Sequence, residues 1–155
     1  KRRGFALMND QSFDEAIYRI TKKGTNKHIN PLAFYFLRDA LDSATLKYKK
    51  DSDNRHFTGQ ELSDAIAEYA IDSYGHMAYH VLLRWGITKT DDFGIIVYAL
   101  INEGVFGKSA DDKQSDFENV FDLKERLYSP MFKKSELLLQ NQSKQNSSKT
   151  KTRKK

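Results

Sequence analysis

The chain holds 155 residues, 26 of them Lys or Arg and 21 Asp or Glu, for a formal charge of +5, and 39% of it is hydrophobic. A chain of this length buries roughly 70% of its unfolded surface, which fits one soluble domain without covalent staples. The lack of Cys excludes a disulfide framework, a thiolate zinc site, a thiol nucleophile and an iron–sulfur cluster, and the longest apolar run, Ile95 to Ile101, falls far short of the roughly 18 residues that suggest a membrane span.

The chain opens Lys1-Arg2-Arg3 rather than on Met, which reads as a trimmed or processed start. No secretory apolar segment follows, so a cytoplasmic location is expected. Ser12 with Glu15 has the spacing of a capping box, and Phe13, Ala16, Ile17 and Ile20 then mark one apolar helix face. Gly24 and Asn26 end that helix inside a small basic cluster of Arg19, Lys22, Lys23, Lys27 and His28. Asn30 before Pro31 reads as an N-cap with Pro at the first helical position. The helix it opens should run to about Lys47, burying Ala33, Phe34, Leu37, Ala40, Leu41 and Ala44. A charged loop, Lys47 to Arg55, follows.

Thr58 with Glu61 is a second capping box, and Leu62, Ala65, Ile66, Tyr69 and Ala70 follow at helical spacing. Gly75 ends or bends that helix. Met77 to Trp85 continues as a short one, with Gly86 where a left-handed C′ residue is expected. Thr90 is read as the next cap, with Asp91 and Asp92 at the positive end of the helix dipole. Phe93, Ile96, Val97, Leu100 and Ile101 supply the core face, and Gly104 closes the helix. Val105-Phe106-Gly107-Lys108 and Val120-Phe121-Asp122-Leu123 could pair as a short β-hairpin. A last helix is expected over roughly 135–140. Beyond it the tail, 140–155, has no large apolar residue and is expected to be disordered in isolation.

An internal echo relates Phe13-Asp14-Glu15-Ala16-Ile17 to Leu62-Ser63-Asp64-Ala65-Ile66, and 33–37 to 78–82. It suggests two related helix pairs. The expected fold is therefore mainly α, a single helical domain over 1–139 with a basic flexible tail over 140–155. Helices at 59–74, 76–85 and 91–103 followed by a hairpin give residues 58–123 the order of a winged helix.

A wider resemblance rests on Arg55-His56, Thr58-Gly59-Gln60-Glu61-Leu62, Gly75 with Met77-Ala78, Trp85-Gly86-Ile87, Asp92-Phe93-Gly94, Ile96-Val97, Gly104, Lys108, Asp116-Phe117 and Phe121-Asp122. On these residues, over roughly 34–123, the chain resembles an uncharacterised bacterial family of small repeat-containing hypothetical proteins of the planctomycete–verrucomicrobial group. The resemblance leaves out both basic ends, and His76 departs from the family's pattern. It implies no activity, cofactor or catalytic residue.

Charge is segregated along the chain. Lys144, Lys149, Lys151, Arg153, Lys154 and Lys155 have no acid among them, and without them and Lys1, Arg2 and Arg3 the remainder carries 17 basic against 21 acidic residues. The basic ends are candidate phosphate contacts; a merely solubilising tail is the alternative. Residues 90–122, by contrast, hold eight acids and two bases. Aspartates at the start of a recognition helix repel DNA phosphates, so Asp91, Asp92, Asp111 and Asp112 are read as a protein-facing surface.

Catalytic constellations are sparse. Asp72, His76 and His80 are spaced at fours, but eight residues of helix span about 12 Å, too far for one ion with ligand bonds of about 2 Å. Arg55 and Gln60 beside a helix start are a candidate anion site, with a plain capped terminus as the alternative. No glycine-rich phosphate loop, nucleophile elbow or zinc-hydrolase motif is present. The sequence thus reads as a non-catalytic binding module without a cofactor. Its expected partner is RNA or a ribonucleoprotein assembly held by the basic ends, with the acidic body facing protein. The alternative is a protein–protein adaptor. No membrane role is expected.

Overall fold

The computed structural model describes residues 10–24, 26–48 and 57–128. Among them are five α-helices, two short 3-10 turns and a further helical segment at 123–128, and no strand. The candidate contacts Lys1, Arg2, Arg3, Arg55, Lys144, Lys149, Lys151, Arg153, Lys154 and Lys155 lie outside the described residues, as do the tail and the helix expected at 135–140.

Helix α1 (Asp10–Lys23) is already under way at Asp10, so Ser12 stands inside its first turn and not at its cap. Its predicted stripe is its core face: Phe13, Ala16, Ile17 and Ile20 are all buried. Helix α2 (Pro31–Tyr48) starts as its sequence predicts, with the Asn30 side-chain oxygen accepting the Leu32 amide at 2.9 Å. It packs along α3 (Gly59–Tyr74), where Ala65, Ile66, Ala67 and Ala70 are buried. These small side chains let the two axes come close. Thr58 and Glu61 form the reciprocal capping box: the Thr58 hydroxyl accepts the Glu61 amide at 3.2 Å and the Glu61 carboxylate accepts the Thr58 amide at 3.1 Å.

At Gly75 the backbone turns to φ 53° and α3 gives way to a 3-10 turn, Gly75–Met77, and then to α4 (Ala78–Arg84). The α4 terminus is a Schellman motif. The Gly86 amide donates to the Leu83 carbonyl and the Ile87 amide to that of Leu82, while Ile87 and Leu82 bury together. Gly86 is required twice over: its φ is +84°, and a Cβ there would lie 1.9 Å from the His28 carbonyl oxygen. The α1–α2 connection crosses at this point, and the Asn30 amide donates to the Trp85 carbonyl at 2.9 Å. Helix α5 (Thr90–Asn102) ends on the same motif, with Val105 donating to Leu100 and Gly104 to Ile101, both at 2.9 Å. The two stretches joined by the internal echo are not equal elements, since α2 runs 18 residues and α4 seven.

The cap of α5 differs from the expected one. Lys89 is the extended N-cap residue and Thr90 is the first helical residue, wholly buried, with its hydroxyl accepting the Val120 amide at 3.1 Å. Asp92 closes the cap from inside the helix.

The β-hairpin and the wing built on it are also corrected. The Val105 amide belongs to the helix terminus, and Phe106 turns into the core. Residues Gln114–Phe117 form a 3-10 turn whose buried Phe117 fits against α5. Two glycines admit it: a Cβ at Gly59 would lie 2.7 Å from the Asp116 Cβ, and one at Gly94 would lie 2.9 Å from the Phe117 Cβ. Leu123, read as the end of a strand, begins the 123–128 helix. Asp122 caps that helix by accepting the Glu125 amide at 2.8 Å, and Leu123 and Leu127 bury on one face. Asp122 followed three residues later by Glu125 is itself a cap signature, and it outweighs the strand propensity of Val120-Phe121. Among the described residues no helix is long and apolar enough to cross a membrane.

Candidate functional site

The acidic stretch 90–122 is largely engaged with its own backbone. The Asp92 Oδ2 accepts the Thr88 amide at 2.8 Å, the Lys89 amide at 3.2 Å and the Thr88 hydroxyl at 3.1 Å, and the residue is only 4% exposed. Asp91 accepts the Asn119 amide at 3.1 Å. Burial pushes its carboxyl up, but that amide and the nearby Lys89 ammonium outweigh the effect and hold it below the usual carboxylate value. Asp112 accepts the Ser109 amide, Asp116 that of Lys113 and Asp122 that of Glu125. With Glu103 in an ion pair, six of the eight acids have a local partner. The expectation of a protein-facing surface is corrected at Asp92, which is buried, while Asp91 remains half-buried with its carboxylate on the Asn119 amide. Asp111 is exposed and Asp112 half-buried.

At the N-terminus of α3, Gln60 is exposed at the second residue, while Arg55, its expected companion in an anion site, lies outside the described residues. The Glu61 carboxylate caps that terminus, and Asp116 lies over Gly59. Among the described residues no group of three or more His, Asp or Glu is placed to hold a metal ion. His80 is hydrogen-bonded to the Tyr128 hydroxyl, while Asp72 and His76 are exposed.

The basic cluster of α1 leads to a different place. Glu103 caps the C-terminus of α5, where the helix dipole disfavours a negative charge. Two cations compensate it across the α1–α5 gap: Arg19 Nε at 2.7 Å and Lys23 Nζ at 2.8 Å. The hydrogen bonds from Lys23 and Arg19 hold the Glu103 carboxyl below its ordinary value. Beside this pair lies a cleft of about 280 Å³, lined by Ile20 and Lys23 of α1, Asn26, Gln114, and Ile95, Tyr98, Ala99, Asn102 and Glu103 along α5.

Tyr98 forms part of the cleft wall, with the Lys108 ammonium 5.7 Å from its ring centroid. Its hydroxyl is closed off from solvent and has no hydrogen-bond partner among the described residues. Burial, with Asp112 and Asp116 nearby, raises the phenol above its ordinary pKa. Among the described residues that hydroxyl is the buried polar side-chain atom left without a partner, and an unmade buried hydrogen bond costs stability.

Outside the cleft the surface of α1 is basic and aromatic. Tyr18 is 62% exposed with the Lys22 ammonium 5.5 Å from its ring centroid, and Lys27 is exposed on the following turn. From Ala16 to Arg38 there is no acidic residue. The rest of the described body is the opposite, with 7 basic and 18 acidic side chains. The sequence signals the cluster of cations; it does not signal the cleft, because Asn26, Tyr98, Asn102 and Gln114 come together only through packing. No family model, curated protein or solved structure matches the chain, so its own residues carry the functional reading.

Proposed function

We propose that the protein is a non-catalytic binding module for single-stranded RNA, alone or within a ribonucleoprotein assembly. One observation supports this reading: the acid-free stretch 16–38 gives an otherwise acidic body Arg19, Lys22, Lys23 and Lys27, with Lys23 lining the α1–α5 cleft and Lys22 and Lys27 exposed outside it. The basic ends, Lys1, Arg2 and Arg3 and the six cations from Lys144 to Lys155, add an electrostatic contribution to the same contact. Arg19 and Lys23 both pair with Glu103, while Lys22 and Lys27 are exposed on the adjoining surface and are the cations offered to phosphate.

The test is fluorescence anisotropy of a labelled 12-nucleotide RNA titrated with the full chain over a range of KCl concentrations. Lys22, Lys27 and the nine cations of the two ends predict a log–log salt slope of about −7 to −8, at roughly −0.7 per neutralised phosphate on a single strand. Deleting residues 141–155 should reduce its magnitude by about 4. Lys22→Glu with Lys27→Glu should weaken binding at least tenfold. A flat salt response, or equal affinity in all three proteins, overturns the reading.

A second reading, a protein–protein adaptor, is favoured by apolar exposure where α2 meets the α3–α4 turn. Leu32 is 54% and Met77 57% exposed, and Tyr74 lies on the Phe36–Trp85 ring pair at centroid distances of 6.0 and 5.8 Å. Co-purification of a defined partner that survives nuclease and tail deletion, and is lost in Leu32→Ser with Met77→Ser, would favour it over the first.

A further inference from the structure

We infer that the α1–α5 cleft seats a single nucleobase. This rests on the nucleic-acid reading above and adds to it by naming what the cleft itself takes. Its volume of about 280 Å³ lies just below the ~300–1,000 Å³ of ordinary ligand sites. That is room for one ring system, and too little for a dinucleotide or a drug-sized molecule.

The lining matches a base in three respects. Ile20, Ile95 and Ala99 give apolar surface for a ring face. Three carboxamides, Asn26, Asn102 and Gln114, reach the cleft from three different segments, and each has both a donor and an acceptor end. Carboxamides are the side chains that pair with a base edge through two hydrogen bonds at once, and an unpaired base offers such edges free. Lys23, the one cation among the lining residues, is paired with Glu103 at 2.8 Å, so the cleft offers no unpaired ammonium to a phosphate. The phosphates remain outside, beside Lys22 and Lys27.

A base can arrive on a strand or as a free nucleotide, and the experiment separates the two sources. Binding of the full chain is measured by anisotropy on labelled rA8, rU8 and rC8 and on an eight-unit abasic ribose-phosphate oligomer. Adenosine and uridine 5′-monophosphates serve as competitors. Base-bearing oligomers should bind at least tenfold tighter than the abasic one, with at least a fivefold spread among the three homopolymers. Asn102→Leu with Gln114→Leu should reduce the advantage over the abasic oligomer to within twofold and leave the salt slope unchanged. Ala99→Leu, which fills the cleft and removes no polar group, should do the same, and thermal melting of each variant reports that it is folded.

Displacement by a mononucleotide supports the base site with a free nucleotide as occupant; tight strand binding without displacement supports the strand. Equal affinity for abasic and base-bearing oligomers, or an advantage that survives in folded cleft variants, overturns the cleft inference and leaves the nucleic-acid reading standing. No binding of any oligomer by the intact chain overturns both.

Discussion

At Asp92 a single carboxylate oxygen collects two backbone amides and a hydroxyl at the start of α5, and the residue is almost wholly buried. Removing it leaves those donors unmet in a half-dry setting. Asp92→Ala should therefore lower unfolding free energy by about 2 kcal/mol in urea denaturation, and Asp92→Asn, which keeps an acceptor, should cost less. Tyr98 gives the opposite expectation. Its dry hydroxyl has no partner among the described residues, so Tyr98→Phe should be neutral or stabilise by up to about 1 kcal/mol. In the same measurement a large destabilisation would mean that the hydroxyl is satisfied. Charge counting sees Asp91, Asp92 and Asp112 as negative surface, and the helix-dipole argument adds only that the first two suit a helix start. A count carries no information on distance to a carboxylate's own backbone, and the three-residue offset between acid and amide at Asp92, Asp112 and Asp116 was the signal that mattered.

Between elements, α1 and α5 are tied at Glu103. The hydrogen bonds from Lys23 and Arg19 lower its carboxyl below 4.5. A lowered folded-state pKa contributes stability that is fully present above the unfolded value and is lost as pH falls through the folded one. The wild-type protein should thus lose a small increment of stability below pH 4.5, and Glu103→Gln should remove that increment while costing under ~1 kcal/mol at neutral pH. The cost is small because the Arg19 and Lys23 head groups remain largely in solvent. Denaturation midpoints of both proteins from pH 3 to 7 check the sign.

The helices were legible because apolar period, Thr58–Glu61, Asn30-Pro31 and the terminal glycines Gly86 and Gly104 agree with one another. The hairpin was misread because 105–123 has no long period. What organises it is non-local: the side-chain-free spots at Gly59 and Gly94 that receive Asp116 and Phe117.

Over the whole molecule, the described body has 12 basic and 18 acidic side chains while the chain totals +5. Colloidal behaviour should follow the ends more than the fold. Deleting 141–155 takes the formal charge from +5 to −1, and isoelectric focusing should move from about 9.3 to near neutrality, with solubility falling at physiological pH. Charge segregation was readable from the sequence at this scale, whereas the cleft that gives it a place required the packed helices. The contact of Gly86 with the His28 carbonyl also bears on where the chain can be cut or extended. Because two backbones touch there, the α1–α2 connection is a wedged crossing, and new termini or an inserted reporter domain at 27–29 should abolish expression of folded protein. Gly107 is the contrasting position: it is exposed, and an added Cβ would meet nothing within 4 Å. A circular permutant opened there should retain the native melting profile.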